Sequence, residues 1–244
     1  MLMRTVLPET LDSLSEDDPA AMRSRRDLRR VHRTMGTAAI LLRGMREMSK
    51  VRAGDAPIRM LELGAGDGSL MLGVAEALAE KWPRVELTLL DRQSLVDRRT
   101  IDAYARAGWT AAPAVVDVND WASATADPLQ QDGARWDWVV VNLFLHHFAA
   151  SQLRVLMRAI AARTDRFLAC EPRRDWFTLA GSHLVGAIGA NAVTRQDAVL
   201  SVHAGFAGQE LTALWPSQIL TWQLHEHRVG LFSHCFRAVR SGVT

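Results

Sequence analysis

The chain has 244 residues, a formal net charge of +2 and a hydrophobic fraction of 48%, which suits one α/β domain burying roughly 70 to 75 per cent of its unfolded surface. The near-neutral balance argues against a broad nucleic-acid surface, and two cysteines, Cys170 and Cys235, build neither a disulfide framework nor a four-cysteine zinc centre. With no apolar stretch near the roughly 20 residues needed to cross a bilayer and no secretory leader pattern, a cytoplasmic protein without membrane contact is expected.

Residues 1 to about 20 carry Pro8, Pro19 and scattered acids without a sustained period, so a mobile tail or lid edge is expected there. From Arg23 the pattern turns helical. Leu28, Val31 and Met35 share one face, and after Gly36-Thr37 the residues Leu41, Met45 and Met48 form a second stripe. Two helices are therefore expected before the first strand. Residues 1–56 are read as a tail and helical cap, and 57–244 as the main domain. The arginines at 23, 25, 26, 29, 30 and 33 read as a solvated helix face, with an anion-binding edge as the alternative. His32, beside Val31, reads as a packed core histidine rather than a wall of a substrate chamber.

From Ile58 onward apolar runs at 58–63, 85–90, 112–117, 136–142 and 165–170 alternate with helical stripes such as Leu70, Val74, Leu78 and Trp82. That alternation is the signature of a doubly wound, mostly parallel sheet covered on both faces, whose ligands collect beyond the carboxyl ends of the strands. The first strand runs into Leu63-Gly64-Ala65-Gly66-Asp67-Gly68, where residues without a Cβ allow positive φ and let a ligand press against bare peptide groups. A dinucleotide fingerprint, G-x-G-x-x-G, would need glycine at Ser69. Instead the spacing is G-x-G-x-G with Glu62 two residues ahead of the first glycine. An acid there repels a pyrophosphate and attracts an ammonium group, which points to an amino-acid-bearing nucleoside. The second strand ends on Asp91, an acceptor for ribose hydroxyls or else the first residue of the next helix.

Taken in order and spacing, Glu62 to Gly68, Asp91, Val116-Asp117-Val118 and Asp137 to Asn142 resemble the successive motifs of class I S-adenosylmethionine-dependent methyltransferases, in their small-molecule branch. The match runs from Ile58 to Pro172. It implies a Rossmann-like methyltransferase fold with a seven-stranded sheet, N-terminal helices and a C-terminal antiparallel hairpin. It also implies S-adenosylmethionine as methyl donor and S-adenosylhomocysteine as product. By the resemblance, Glu62 helps hold the methionine ammonium through water, Gly64, Ala65, Gly66 and Gly68 line the donor, Asp91 with Arg92 takes the ribose, Asp117 and Val118 take the adenine, and Asn142 with Leu143 faces the methionine end. Val118 departs from the small residue common at that place. Asp117 also fits plain loop chemistry.

Beyond the fourth strand lies Asn142-Leu143-Phe144-Leu145-His146-His147-Phe148. Paired histidines here resemble the same region of methyltransferases that act on quinones and phenols, where an imidazole takes the acceptor's proton. In an extended segment His146 and His147 cannot both face one pocket, so one of them is expected to act, with a hydrogen bond to backbone as the plainer role. Glu171 and Arg173 are candidates to orient a polar substrate group. Trp121, Phe144 and Phe148 are candidate rings beside a sulfonium. Segment 175–216 reads as helices lining the acceptor chamber, one of them capped by Thr194, and runs at 218–225 and 228–240 read as the closing hairpin. No metal site is read, since His225 and His227 lie next to a turn.

The function expected is methyl transfer to a small-molecule acceptor, most readily O-methylation of a phenolic, quinone or polyketide-like compound. RNA as acceptor and a non-catalytic donor-binding domain are the alternatives, and the oligomeric state stays open, a homodimer included. Two cysteines cannot supply the three-cysteine cluster of radical S-adenosylmethionine enzymes.

Overall fold

The computed structural model describes residues 2–49, 56–79, 82–130, 134–216 and 222–242. Seven strands form one sheet in the order β3-β2-β1-β4-β5-β7-β6: β1 Ile58–Leu63, β2 Val85–Asp91, β3 Trp109–Val115, β4 Trp138–Asn142, β5 Arg166–Pro172, β6 Trp222–Val229 and β7 Ser233–Arg240. The first five pair in parallel, and β7 and β6 add antiparallel. Order reverses between β1 and β4, which opens a crevice at the carboxyl ends of those two strands.

Strict alternation along the central strands builds a core on each face. Met60, Val140 and Leu168 pack with the helices α3 Thr37–Met48, α4 Ser69–Leu78 and α5 Arg98–Arg106. Leu61, Val139, Val141 and Phe167 pack on the opposite side with α6 Val118–Ser123, α7 Ala150–Arg163 and α10 Glu210–Leu214. Above the carboxyl ends sit α1 Thr10–Ser13, α2 Pro19–Met35, α8 Trp176–His183 and α9 Ala192–Ala204. Helix α2 packs against α9, α3 and α4, whereas α3 lies on β5 and α4 as part of the sheet's cover.

Several expectations are corrected. Of the two readings of the first residues, the free tail gives way to the lid edge: Thr5 N–H donates to the His203 carbonyl, and the Thr10 and Leu11 N–H groups donate to the two carboxylate oxygens of Asp197, each at 2.9 Å. Among the described residues a four-residue helix, Thr10–Ser13, precedes the two expected helices. Strand β3 begins at Trp109 rather than residue 112, because Gly108, at φ 79°, turns the chain out of α5 and Trp109 stacks on Tyr104 and Trp82. The strand ends two residues before Asp117, which instead begins α6. Asn191, not Thr194, caps α9, its side chain accepting from Thr194 N–H at 2.8 Å. Strand β6 starts at Trp222, and residues 218–221 of the expected run lie outside the described residues. Among the described residues no helix is long and apolar enough to cross a membrane.

Candidate functional site

A cavity of about 740 Å³ opens at the sheet's switch point between the strand ends and the helical roof. Its floor is the glycine turn. Gly64, Gly66 and Gly68 adopt φ of 71°, 56° and 72°, and the Gly64 and Ala65 N–H groups donate to the Leu90 carbonyl at 2.9 and 3.0 Å. A Cβ on Gly64 would lie 2.4 Å from the Phe144 ring, whereas one on Gly66 would meet nothing within 4 Å. Glycine is thus required at 64 for packing, and at 66 the peptide is bare to the cavity. Tyr104 fixes the end of the turn by donating to the Gly68 carbonyl at 2.7 Å.

Acids stand around this floor at successive strand ends. Asp91 accepts Gly66 N–H on one oxygen at 2.9 Å and Gln93 N–H on the other at 3.0 Å, tying the β2 end to the turn. It does not cap α5, a role taken by Asp97. Asp117 caps α6 by accepting Asn119 N–H at 2.7 Å and, with Val118, lines the cavity. Glu62 is buried on β1 and lines the same space, yet its Oε2 has no hydrogen-bond partner. Burial, aided by the charges of Asp67 and Asp91, pushes its pKa up to about 8. Asn142 at the β4 end is likewise buried, with Oδ1 unpartnered. Next to it Leu143 holds φ 47°, a left-handed conformation rare for a branched side chain that costs about 1–3 kcal/mol.

Residues 145–147 form a 3₁₀ turn, not an extended segment, so His146 and His147 both line the cavity, with ring centroids 4.3 Å apart. One carboxylate shapes this turn. Glu171, fully buried on β5, accepts the N–H groups of Phe144, Leu145 and His146 at 3.0, 2.9 and 3.3 Å and lies 2.8 Å from His146 Nδ1. Its place is thus beneath the turn rather than facing a substrate. The other nitrogen of His146, Nε2, lies 3.3 Å from Glu9 Oε1, and His147 Nδ1 lies 2.9 Å from Asp12. Burial opposes a charge on His146, but the hydrogen bonds to Glu171 and Glu9 outweigh it and push its pKa up to about 9. Burial would raise Glu9 and Asp12 as well, yet their histidine partners hold both below the usual carboxylate range.

The roof comes from the N-terminal segment and α2, whose Arg23, Arg26, Arg29, Arg30 and Arg33 stay exposed, as the solvated-face reading expected. Arg29 of α2 pairs with Asp67 of the glycine turn at 2.5 Å, Arg25 donates to Gln93 at 3.1 Å, and Arg92 bonds the Asp12 carbonyl and carboxylate. His32 lines the cavity instead of the core, and burial pushes it down to about 4, so it is neutral at pH 7. Phe144 and Phe148 line the cavity, but Trp121 is buried in the α6–α7 core with its indole on Asp127. Arg173 pairs with Asp175. Glu9 and Asp12 were not legible as site residues, because acids in an aperiodic, proline-bearing stretch give no sign of where it folds back.

No protein-family model matches the sequence, and no curated protein matches it. Solved structures do match over nearly its whole length. The plantazolicin methyltransferase BpumL in complex with S-adenosylhomocysteine is similar at a TM-score of 0.59 and 11% identity, over 92% of this chain and 91% of that one. Magnesium protoporphyrin IX methyltransferase ChlM from Synechocystis PCC 6803, with bound S-adenosylhomocysteine, gives 0.51 and 11% over 95% and 91%. The pyocyanin biosynthetic protein PhzM gives 0.55 and 14% over 93% of this chain and 60% of its own. At such identities the likeness is one of fold, and the fold is the Rossmann-like one of class I methyltransferases.

Proposed function

We propose that this chain is an S-adenosylmethionine-dependent methyltransferase acting on a small molecule, by O-methylation of a phenolic, quinone or polyketide-like acceptor. The observation that carries the reading is Glu62: a buried carboxylate with an unpartnered oxygen, at the cavity end of a glycine turn, is a socket for an ammonium group. S-adenosylmethionine supplies an electrophilic methyl group on a sulfonium and leaves as S-adenosylhomocysteine.

The residues that would hold it are Glu62, Gly64, Ala65, Gly66, Gly68, Asp91, Arg92, Asp117, Val118, Asn142 and Leu143. Each Asp91 oxygen accepts one N–H and keeps capacity for a ribose hydroxyl. The bare Gly66 peptide accommodates the methionyl chain. Asp117 and Val118 offer an acceptor and an apolar edge to the adenine. Arg92 acts through Asp12, closing the N-terminal segment over the ribose side.

The acceptor would enter beneath α2 and α8–α9, where Leu28, Val31, Met35, Leu184, Val185 and Ile188 give an apolar wall suited to a ring. Alignment of its oxygen with the methyl group can supply roughly 7 to 11 kcal/mol. His147, half-buried and steered by Asp12, is the proton acceptor of this scheme, a contribution of roughly 100- to 10,000-fold. His146, engaged at both ring nitrogens, holds Glu9 and the turn in place. The acceptor's O–H proton passes to His147 as the new C–O bond forms and the C–S bond breaks with its electron pair left on sulfur. Arg25, Arg29 and Arg30 are engaged with Gln93, Asp67 and Asp27, which favours a small acceptor over RNA.

Titration calorimetry with S-adenosylhomocysteine tests the reading. Wild type should bind, and Asp91→Ala should bind roughly 10- to 100-fold more weakly, the worth of a charged hydrogen bond. Unchanged affinity removes the ribose assignment. Donor binding without turnover against any phenol panel would leave a non-catalytic binding domain.

A further inference from the structure

We infer that Glu9, His146 and His147 form a binding site for a divalent transition-metal ion at the acceptor end of the cavity. The three residues each offer one ligand atom, all within 4.8 Å of one another, and all three line the cavity. Two imidazoles and one carboxylate are the donor set that first-row ions such as zinc, iron and cobalt take, with positions left open for a further ligand. Metal–ligand bonds of about 2.0–2.2 Å put neighbouring ligand atoms roughly 3 to 3.5 Å apart. His146 Nε2 and Glu9 Oε1 are 3.3 Å apart.

A second observation concerns the atoms behind the ligands. A metal-bound histidine almost always has its other ring nitrogen held by a carboxylate or carbonyl, which sets the tautomer and aims the free nitrogen at the ion. His146 Nδ1 is held by Glu171 at 2.8 Å. His147 has a ring nitrogen held by Asp12 at 2.9 Å, and Glu9 is itself anchored by the Ser201 hydroxyl. A carboxylate outside the trio thus holds one nitrogen of each imidazole, and the arrangement draws on three separate parts of the chain: the N-terminal segment, the turn after β4 and strand β5.

Charge points the same way. Glu9, Asp12 and Glu171 surround the two imidazoles, so three carboxylates stand around the place a divalent ion would take. Arg92 offsets Asp12 from outside, and Arg4 lies against the His146 and Phe148 carbonyls.

The role of the ion rests on the methyl-transfer reading, whereas its binding does not. An acceptor hydroxyl on an open position loses its proton to solvent as the ion lowers its proton affinity, and the resulting oxyanion attacks the methyl carbon as the C–S bond breaks with its electron pair left on sulfur. With the ion bound, His147 is a ligand and no side chain need take the proton during transfer. The substrate class narrows accordingly to acceptors whose oxygen can ligate a metal, phenols with a neighbouring carbonyl or hydroxyl foremost.

The test uses the full chain, stripped with chelator and titrated with Co²⁺ alone, followed by its visible d–d absorption, with S-adenosylhomocysteine affinity measured on the same samples. Wild type should bind one equivalent. Glu9→Gln and His147→Ala should each lose the bands, and Glu171→Gln should weaken binding by about 10- to 100-fold. The double change His225→Ala and His227→Ala, on the edge strand β6, should leave the titration as in wild type. Absence of stoichiometric binding, equal binding in the Glu9 and His147 variants, or loss confined to the β6 variant overturns the site. Variants that still bind S-adenosylhomocysteine are folded, so their loss of Co²⁺ counts. Failure of wild type to bind S-adenosylhomocysteine, with Co²⁺ binding intact, would sink the donor reading and leave the metal site standing.

Discussion

Glu171 lies 2.8 Å from His146 Nδ1 and accepts three successive N–H groups from the turn that carries both histidines. A single buried carboxylate on β5 therefore sets the shape of the segment that follows β4. Glu171→Gln keeps the volume but cannot accept on both terminal atoms, leaving N–H groups unsatisfied in a buried place. The expected loss is about 1–3 kcal/mol of stability. Denaturant unfolding checks it, and an unchanged midpoint would mean that the turn holds itself.

Gly64 and Gly66 should respond differently to alanine. At Gly66 only the left-handed backbone is penalised, by roughly 1–2 kcal/mol. At Gly64 the same penalty adds to a clash with the Phe144 ring, so Gly64→Ala should be the more destabilised in thermal melts. Adding Phe144→Ala to Gly64→Ala should relieve part of the difference. That double variant still carries the strained φ.

Glu62 ties stability and binding to pH. Its folded-state pKa is raised to about 8, so the folded chain holds a proton that the unfolded chain has lost across the window from about 4.5 to 8. The associated stability is present below that window and is lost as pH rises through it. Glu62→Gln should flatten this slope and stabilise the ligand-free protein near pH 8. In wild type an arriving ammonium favours the ionised carboxylate, so S-adenosylhomocysteine binding near pH 6.5 should release protons. Calorimetry in two buffers of different ionisation enthalpy reads this directly, and Glu62→Gln should abolish the buffer dependence.

Asp197 latches the N-terminal segment by accepting the Thr10 and Leu11 N–H groups. Asp197→Ala should free Glu9 and Asp12 from the cavity, raising the KM for acceptor far more than the Kd for S-adenosylhomocysteine. Limited proteolysis should then cut within residues 2–18 faster than in wild type. Equal cleavage rates would show that the other contacts suffice.

The sheet and the glycine floor of the cavity were legible because local chemistry dictates them. Near-continuous apolar runs mark strands buried on both faces, and glycines at 64, 66 and 68 are demanded by positive φ where they stand. The strand ends then place Asp91 and Asn142 at the switch point without further information. The far wall and roof of the cavity were legible only in part. His146 and His147 could be named, but an extended reading of 143–148 set them on opposite sides, because nothing local announces that Glu171, 25 residues on, gathers three N–H groups into a turn. Glu9, Asp12 and His32 reach the cavity through contacts such as Thr10 with Asp197, separated by 187 positions. Long-range hydrogen bonds of that kind leave no periodic trace in a single sequence.

The central claim is that the cavity grips an adenosyl donor by its ammonium, ribose and adenine at Glu62, Asp91 and Asp117. A crystal structure grown with S-adenosylhomocysteine tests it most directly. Density should place the ammonium beside Glu62, both ribose hydroxyls on Asp91, the adenine along Asp117 and Val118, and the sulfur facing His147. Density for the nucleoside elsewhere, or a cavity still free of it at saturating ligand, would contradict the account.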